Sequence, residues 1–462
     1  MPGGSGENTR VPRVLFYGSS TTMVAVCFAN GLQGGRAATL SQATESLKHS
    51  FHVPDVALGA LTFTMATAGA FAALGTGILA NRMARTRLLA IMFGLWSMLM
   101  GLSALAPSFS LFGVGVSGFV IFFLVMIPTS ITEATDPAAL PLISDYWPLN
   151  ERASKISVFN AGAGVGALFG ITLGGVLVDQ FGWRAAYAMW VPLGLAGTIL
   201  MATRREPPRG RQDAAFLQEL EESPEGAEAL AAEAREPHHP APRQVSRKEL
   251  ARELLRLRTW RSVAIAMGVS QIMISALGLW GPAYFKRTFH MSATRAGLLT
   301  PVLGVGAFAG TLGGGFLADR LLRRGVLRAR IWVSIVGYGG AGVVFIAAFM
   351  TTSLIVAAPL LAVAGTLLTL PTGPSFALLM DATPSHLREP AAAVADVVMY
   401  VNAIGAPLVG ALSTLLGDNL RVALLCISPA SLVGAGLFLV ARHTYVTDLA
   451  MVVTEAVETS QS

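Results

Sequence analysis

Glu133 and Asp136 are two carboxylates in an otherwise apolar stretch, between Pro128 and Pro137. Their i, i+3 spacing, with Thr129 one turn earlier, sets all three on one face of a continuous helix. A carboxylate at membrane depth costs about 2.5–3.5 kcal/mol and is retained where it faces a bundle interior or a wet cavity. A group that gains and loses a proton at that depth carries one across, which makes the pair candidates for proton coupling. The structural alternative is that Glu133 is held by Arg36 or a hydroxyl. Arg36, with Gln33 and Asn30, reads as the outer end of the first apolar stretch. It is placed to meet an anionic headgroup, to pair with Glu133, or to snorkel to the interface.

Asp396 and Tyr400 share a face at i, i+4, and Asp396 lies roughly 12 Å beyond Arg388 at 1.5 Å per residue. That depth reads as a gating partner for Arg82 or Arg85. Gln271 and Ser275 are placed to line a cavity; Trp280 and Tyr284 on the same stretch also fit interfacial anchoring. No metal and no cofactor is expected. Cys27 and Cys426 each sit in apolar runs, and His238 and His239 stand between prolines with no further ligand nearby. Without a convergent nucleophile and base, an enzyme is not expected either.

The elements that must position these groups are membrane helices. The chain has 462 residues, of which 13% are charged and 53% hydrophobic, too few charges for a water-soluble surface. Apolar runs of about 20 residues recur, each able to cross a hydrocarbon core of ~30 Å. They fall near 14–38, 54–80, 88–106, 110–144, 153–178 and 184–203, and again near 262–285, 293–318, 330–350, 353–380, 390–415 and 421–442. The first run follows Arg10 and Arg13 but is read as a span rather than a cleaved leader, because only with it does each half have six. The fold expected is all-α, with twelve transmembrane helices in two six-helix bundles covering 1–203 and 262–442.

Between them, 204–261 reads as an inter-domain loop, and 443–462 as a tail. Asp213 to Glu236 is acidic and broken by Pro224 and Gly226, so it is expected to be mobile or partly helical. Ser246 and Glu249 form a capping box ahead of Leu250, Leu254 and Leu257, a basic amphipathic helix expected to lie on the inner leaflet. With the amino terminus inside, about 26 of the 33 basic residues fall inside, which predicts both termini cytoplasmic in a cell membrane. The charge, net +6, is scattered between spans and forms no stripe for a phosphate backbone, so nucleic acid is not an expected partner.

Two features recur at nearly one offset. Gly77 to Arg82 is echoed by Gly315 to Arg320, 315 − 77 = 238 residues later, and Asp145 with Arg152 is echoed by Asp381 with Arg388, 381 − 145 = 236 later. Here the chain resembles the major facilitator superfamily, whose loop after the second helix carries Gly-x-Leu-Ala-Asp-Arg-x-x-Arg-Arg. The second copy matches throughout, with Gly315, Asp319, Arg320, Arg323 and Arg324; the first has Asn81 for the acid, followed by Arg82 and Arg85. Within that superfamily, Thr132-Glu133-Ala134, the turn Asp145 to Pro148 and Arg152 resemble the Spinster-like branch.

Glycine ridges at 162, 166, 170 and 174 and at 306, 310 and 314 indicate close helix packing. The resemblance and the repeat imply a monomeric secondary transporter working by alternating access. Its expected form is proton-linked export of an amphiphile, lysolipid-like or drug-like, through a cavity with largely apolar walls, with membrane lipid as its other partner. A carrier of a small organic anion using Arg36, or a non-transporting receptor or sensor, are the alternatives.

Overall fold

The computed structural model describes residues 20–53, 55–106, 109–111, 114–116, 118–233, 253–254, 256–291 and 293–461. Apolar helices dominate. Ten are long and apolar enough to cross a membrane among the described residues. Two more, Ser20–Phe51 and Ala293–Leu322, complete the twelve as the first and eighth spans. A small antiparallel hairpin, Phe109–Leu111 with Val114–Val116, joins the third span to the fourth.

The first span departs from its expected extent. Polar residues from Asn30 to Arg36 read as a span end, yet the helix continues to Phe51, so Arg36 lies near its middle. They are tolerated there because the helix turns that side inward: Asn30 and Arg36 are both buried.

Several other spans are interrupted, and three of the breaks bring polar residues to one cavity. The fourth breaks between Gly118–Thr132 and Asp136–Tyr146, with Pro137 in the first turn of the second piece. The seventh breaks at Gln271, between Arg258–Ser270 and Ile272–Phe289. The eleventh passes from Arg388–Met399 through a 3-10 stretch, Tyr400–Ile404, into Gly405–Leu415. Irregular backbone at membrane depth survives where it is buried or lines a cavity, and these three breaks contribute Thr135, Gln271, Tyr400 and Asn402 to one cavity lining.

The glycine ridge of the fifth span, Leu149–Phe181, meets the first span face to face. A Cβ on Gly166 would collide with the Gly31 carbonyl, and one on Gly170 with that of Gly35. The shorter ridge packs likewise: a Cβ on Gly310 would strike the Thr366 carbonyl of the tenth span. Backbones this close maximise dispersion where lipid supplies no hydrophobic drive between helices. Gly166→Ala is therefore expected to cost about 1–3 kcal/mol through overpacking against backbone. Gly75→Ala, with nothing within 4 Å of its Cβ, should leave melting in detergent unchanged or slightly raised. Equal melting temperatures for the two variants would contradict the close-packed interface.

The segment after the sixth span is more ordered than its composition predicts. It forms Arg211–Ala214, Leu217–Glu221 and Pro224–Glu233, and packs on a terminal helix, Tyr445–Gln461. Phe216 and Leu220 are buried there, so apolar anchors hold a chain that its acidic residues alone would leave solvated. The capping box at Ser246 and Glu249, Leu250 and the two histidines lie outside the described residues. Leu254 and Leu257 are buried within the protein, so this part of the expected leaflet-bound face is turned to the bundle.

Candidate functional site

The breaks in the fourth, seventh and eleventh spans open onto one central cavity of about 480 Å³. It receives Gln33, Arg36, Glu133, Asp136, Gln271, Asp396 and Tyr400 of the residues singled out from sequence, and Asn402 besides. Its wall is mixed: eleven of its 21 lining residues carry polar side chains, and the rest are apolar. The polar residues come from both halves and are dispersed in sequence, and only folding gathers them. A larger apolar hollow of about 910 Å³ on the flank of the first, fifth and eighth spans carries only Glu151 and Lys155 as charges. Chemistry is concentrated in the central cavity.

At its wall Arg36 and Glu133 form a two-pronged ion pair. Arg36 Nε donates to Oε1 at 2.5 Å and Nη2 to Oε2 at 2.9 Å. Trp96 Nε1 adds a third donor to Oε1 at 2.9 Å, and Arg36 Nη1 points at the Met65 sulfur at 3.9 Å. Both charged side chains are nearly excluded from solvent, at 10% and 5% exposure. Each charge compensates a desolvation penalty of several kcal/mol in the other, so neither can change state alone without cost.

Asp136 and Asp396 line the same cavity from opposite halves. The expectation that Asp396 meets Arg82 or Arg85 is overturned: Arg82 is exposed, and Arg85 is engaged at the bundle end. The shared helical face of Thr129, Glu133 and Asp136 is corrected as well, because the helix ends at Thr132 and restarts at Asp136. Thr129 is fully buried and donates to the Val125 carbonyl, outside the cavity lining, as is Ser275. The Tyr400 and Thr67 hydroxyls meet at 3.2 Å across the two halves.

The end of the bundle that carries the 204–233 segment is closed by ion pairs between the halves. Arg152 Nη1 meets Asp381 Oδ1 at 2.6 Å, and Arg388 Nη1 meets Asp145 Oδ1 at 3.3 Å. Arg85 reaches Asp145 at 2.7 Å and Glu389 at 3.4 Å, while Arg330 joins Asp381 to Asp319. Asp319 also accepts the Ser154 N–H at 2.7 Å near the start of the fifth span, where the helix dipole favours an anion. Gly315 packs against Ala153 and Ser157, and Gly77 against Glu389 and Ala393, in the corresponding place of the other half. Asn81 accepts a hydrogen bond from Arg209 at 2.9 Å. Arg320 and Arg324 are exposed, and Arg323 reaches the Asn150 carbonyl at 3.1 Å.

The sequence model of the Major Facilitator Superfamily matches residues 26–401. The chain belongs to that superfamily. The superfamily is one of multi-pass membrane transporters, and the chain has its fold of twelve helices in two halves. It is 25% identical over 296 residues to the probable galactarate/D-glucarate transporter of Escherichia coli, covering 63% of each chain. It is 24% identical over 330 residues to that organism's probable L-galactonate transporter, covering 69% of this chain and 65% of the relative. The chain thus spans just under two thirds of these relatives' lengths. Among solved structures, the E. coli fucose:proton symporter aligns with a TM-score of 0.68 at 14% identity, over 93% of this chain and 99% of that one. A bacterial Spinster homologue aligns with a TM-score of 0.53 at 19% identity, over the same shares. Both share the superfamily fold.

Trp96, Glu389, Arg330 and Asp213 were not singled out from sequence. Trp96 had one signal, an indole N–H in an aliphatic span, which demands an acceptor when buried. Glu389 follows Arg388 directly and precedes Pro390, a carboxylate at a helix start. Asp213 carried no signal, because its partners lie 61 residues before it and 175 after.

Proposed function

We propose that the chain is a proton-linked carrier of a small polyhydroxylated acid, taken up in the central cavity by exchange at Arg36. The observation that carries this reading is the buried, bidentate Arg36–Glu133 pair on the wall of a polar cavity. A guanidinium bound by one carboxylate in two-pronged geometry is preshaped for another. When Glu133 takes a proton, its hold on Arg36 weakens and a substrate carboxylate replaces it. Gln33, Gln271 and Asn402, with the hydroxyl of Tyr400, supply donors and acceptors for substrate hydroxyls, and Asp136 and Asp396 accept from them.

Charge favours coupling. With every group ionised the cavity holds Arg36 against Glu133, Asp136 and Asp396, a net of +1 − 3 = −2. An anion enters such a field at low cost only when protons accompany it, which makes proton symport the consistent direction of coupling. The sugar-acid transporters among the relatives fit this substrate class better than an amphiphile. The fold match to the Spinster homologue does not distinguish the two. The bundle end bearing the 204–233 segment is cytoplasmic on this reading, as the distribution of basic residues requires. The two halves then rock about the cavity, presenting it alternately to each side.

The test is competition for a bound probe in detergent-solubilised protein. Galactarate, D-glucarate and L-galactonate should displace it, and a lipophilic cation or a single-chain lipid should not. The reverse pattern would return the cavity to a cationic or amphiphilic substrate.

A further inference from the structure

One carboxylate in the closed bundle end belongs to neither half. Asp213, on the short helix Arg211–Ala214, is 1% exposed and placed between two arginines. Its Oδ1 lies 2.7 Å from Arg152 Nη2 and its Oδ2 2.8 Å from Arg388 Nη2. Those arginines are repeat equivalents, 388 − 152 = 236 residues apart, the same offset that relates Asp145 to Asp381. Asp213 therefore occupies the pseudo-twofold position between the halves, giving one oxygen to each.

The residues leading to it are tied down along the same seam. Glu206 accepts Arg85 Nε at 2.7 Å and the Thr86 N–H at 3.0 Å. Burial alone would raise the Glu206 carboxyl, but Arg85 and the Thr86 N–H hold it below the usual carboxylate range, so the pair stays charged. Arg209 donates to the Ala80 carbonyl at 2.7 Å, at the end of the second span. The Gly210 N–H donates to Asp145 Oδ1 at 3.0 Å. Residues 206–213 thus touch the second, third, fourth, fifth and eleventh spans, which include elements of both halves.

We propose that this segment is a clasp: Asp213 bridges Arg152 and Arg388, and the cavity opens to this face only when the segment withdraws. The geometry requires it. A single carboxylate serves two guanidiniums only while their nitrogens stay within about 8 Å, the Arg152 hydrogen bond and the Arg388 ion contact plus the width of the group. Rocking the halves apart at this end parts Arg152 from Arg388 and breaks at least one of the two ionic contacts. Asp213 thereby stabilises the closed arrangement selectively, and a two-state equilibrium shifts only through such differential interaction. The inference rests on the alternating-access reading above but concerns the connecting segment, not the substrate.

The test is a distance measurement that needs no transport. Spin labels at Arg82→Cys and Arg324→Cys, exposed in opposite halves, are introduced with Cys27→Ser and Cys426→Ser. Asp213→Ala is expected to raise the long-distance population at least fivefold, and the isosteric Asp213→Asn to raise it less. Unchanged distributions in both folded variants would overturn the clasp. Should Asp213→Ala fail to fold, a tether decides instead: a Cβ built on Gly210 lies 3.0 Å from the Ser385 Cβ. Oxidised Gly210→Cys/Ser385→Cys protein should lose more than tenfold in galactarate uptake and regain it with dithiothreitol. Uptake at the parent rate while cross-linked would overturn the clasp. Absent uptake in the parent would count against the transport reading, with the distance result still judging the clasp.

Discussion

Glu133→Gln is expected to abolish accumulation of substrate against its gradient in proteoliposomes while leaving exchange of internal for external substrate largely intact. The amide keeps the shape of the side chain and one acceptor for Arg36, so the cavity wall survives. It cannot gain or lose a proton, so binding is no longer tied to the pH gradient. One coupled proton is worth about 1.4 kcal/mol per pH unit, close to a tenfold concentration ratio. The variant should therefore equilibrate at a ratio near one where the parent reaches about ten under a one-unit gradient. Accumulation by the variant equal to the parent would remove Glu133 from coupling and shift attention to Asp136 and Asp396, which share its cavity.

Arg36→Met should lower substrate affinity by about a hundredfold or more, since losing one partner of a buried ion pair costs about 3–5 kcal/mol and no other guanidinium lines the cavity among the described residues. The single variant also strands Glu133, held then only by Trp96. Its melting temperature should fall along with its affinity. Arg36→Met combined with Glu133→Gln removes both charges and should recover stability without recovering binding. That split separates a binding role from a structural one. Retained affinity in either variant, by calorimetry with galactarate, would place the substrate elsewhere.

Much of the fold was legible because bilayer physics writes it plainly. Apolar runs of spanning length and the two echoes, Gly77 with Gly315 and Asp145 with Asp381, gave twelve helices in two halves. Legibility failed where a polar residue faces inward. Arg36 was read as a span end because a one-dimensional hydropathy pattern cannot tell a helix terminus from a polar stripe on its inner side. Glu133 and Asp136 read as expensive at membrane depth, and both line the central cavity, but the break between them moved them off a common face. The polar part of the cavity's mixed wall was hard to read for a related reason: uncharged groups such as Asn402 and Thr62 weigh little in composition, yet the folded spans bring them to one place. The clasp residue Asp213 was illegible. Its environment is made by two arginines from distant parts of the chain, and its own neighbourhood reads as a solvated acidic linker.

The measurement that bears most directly on proton-linked carriage of a sugar acid is the movement of protons themselves. Parent protein in lightly buffered proteoliposomes with no imposed gradient should alkalinise the external medium when galactarate is added, and a protonophore should collapse the signal. Glu133→Gln should give none. Entry of labelled galactarate without any change in external pH would contradict the account.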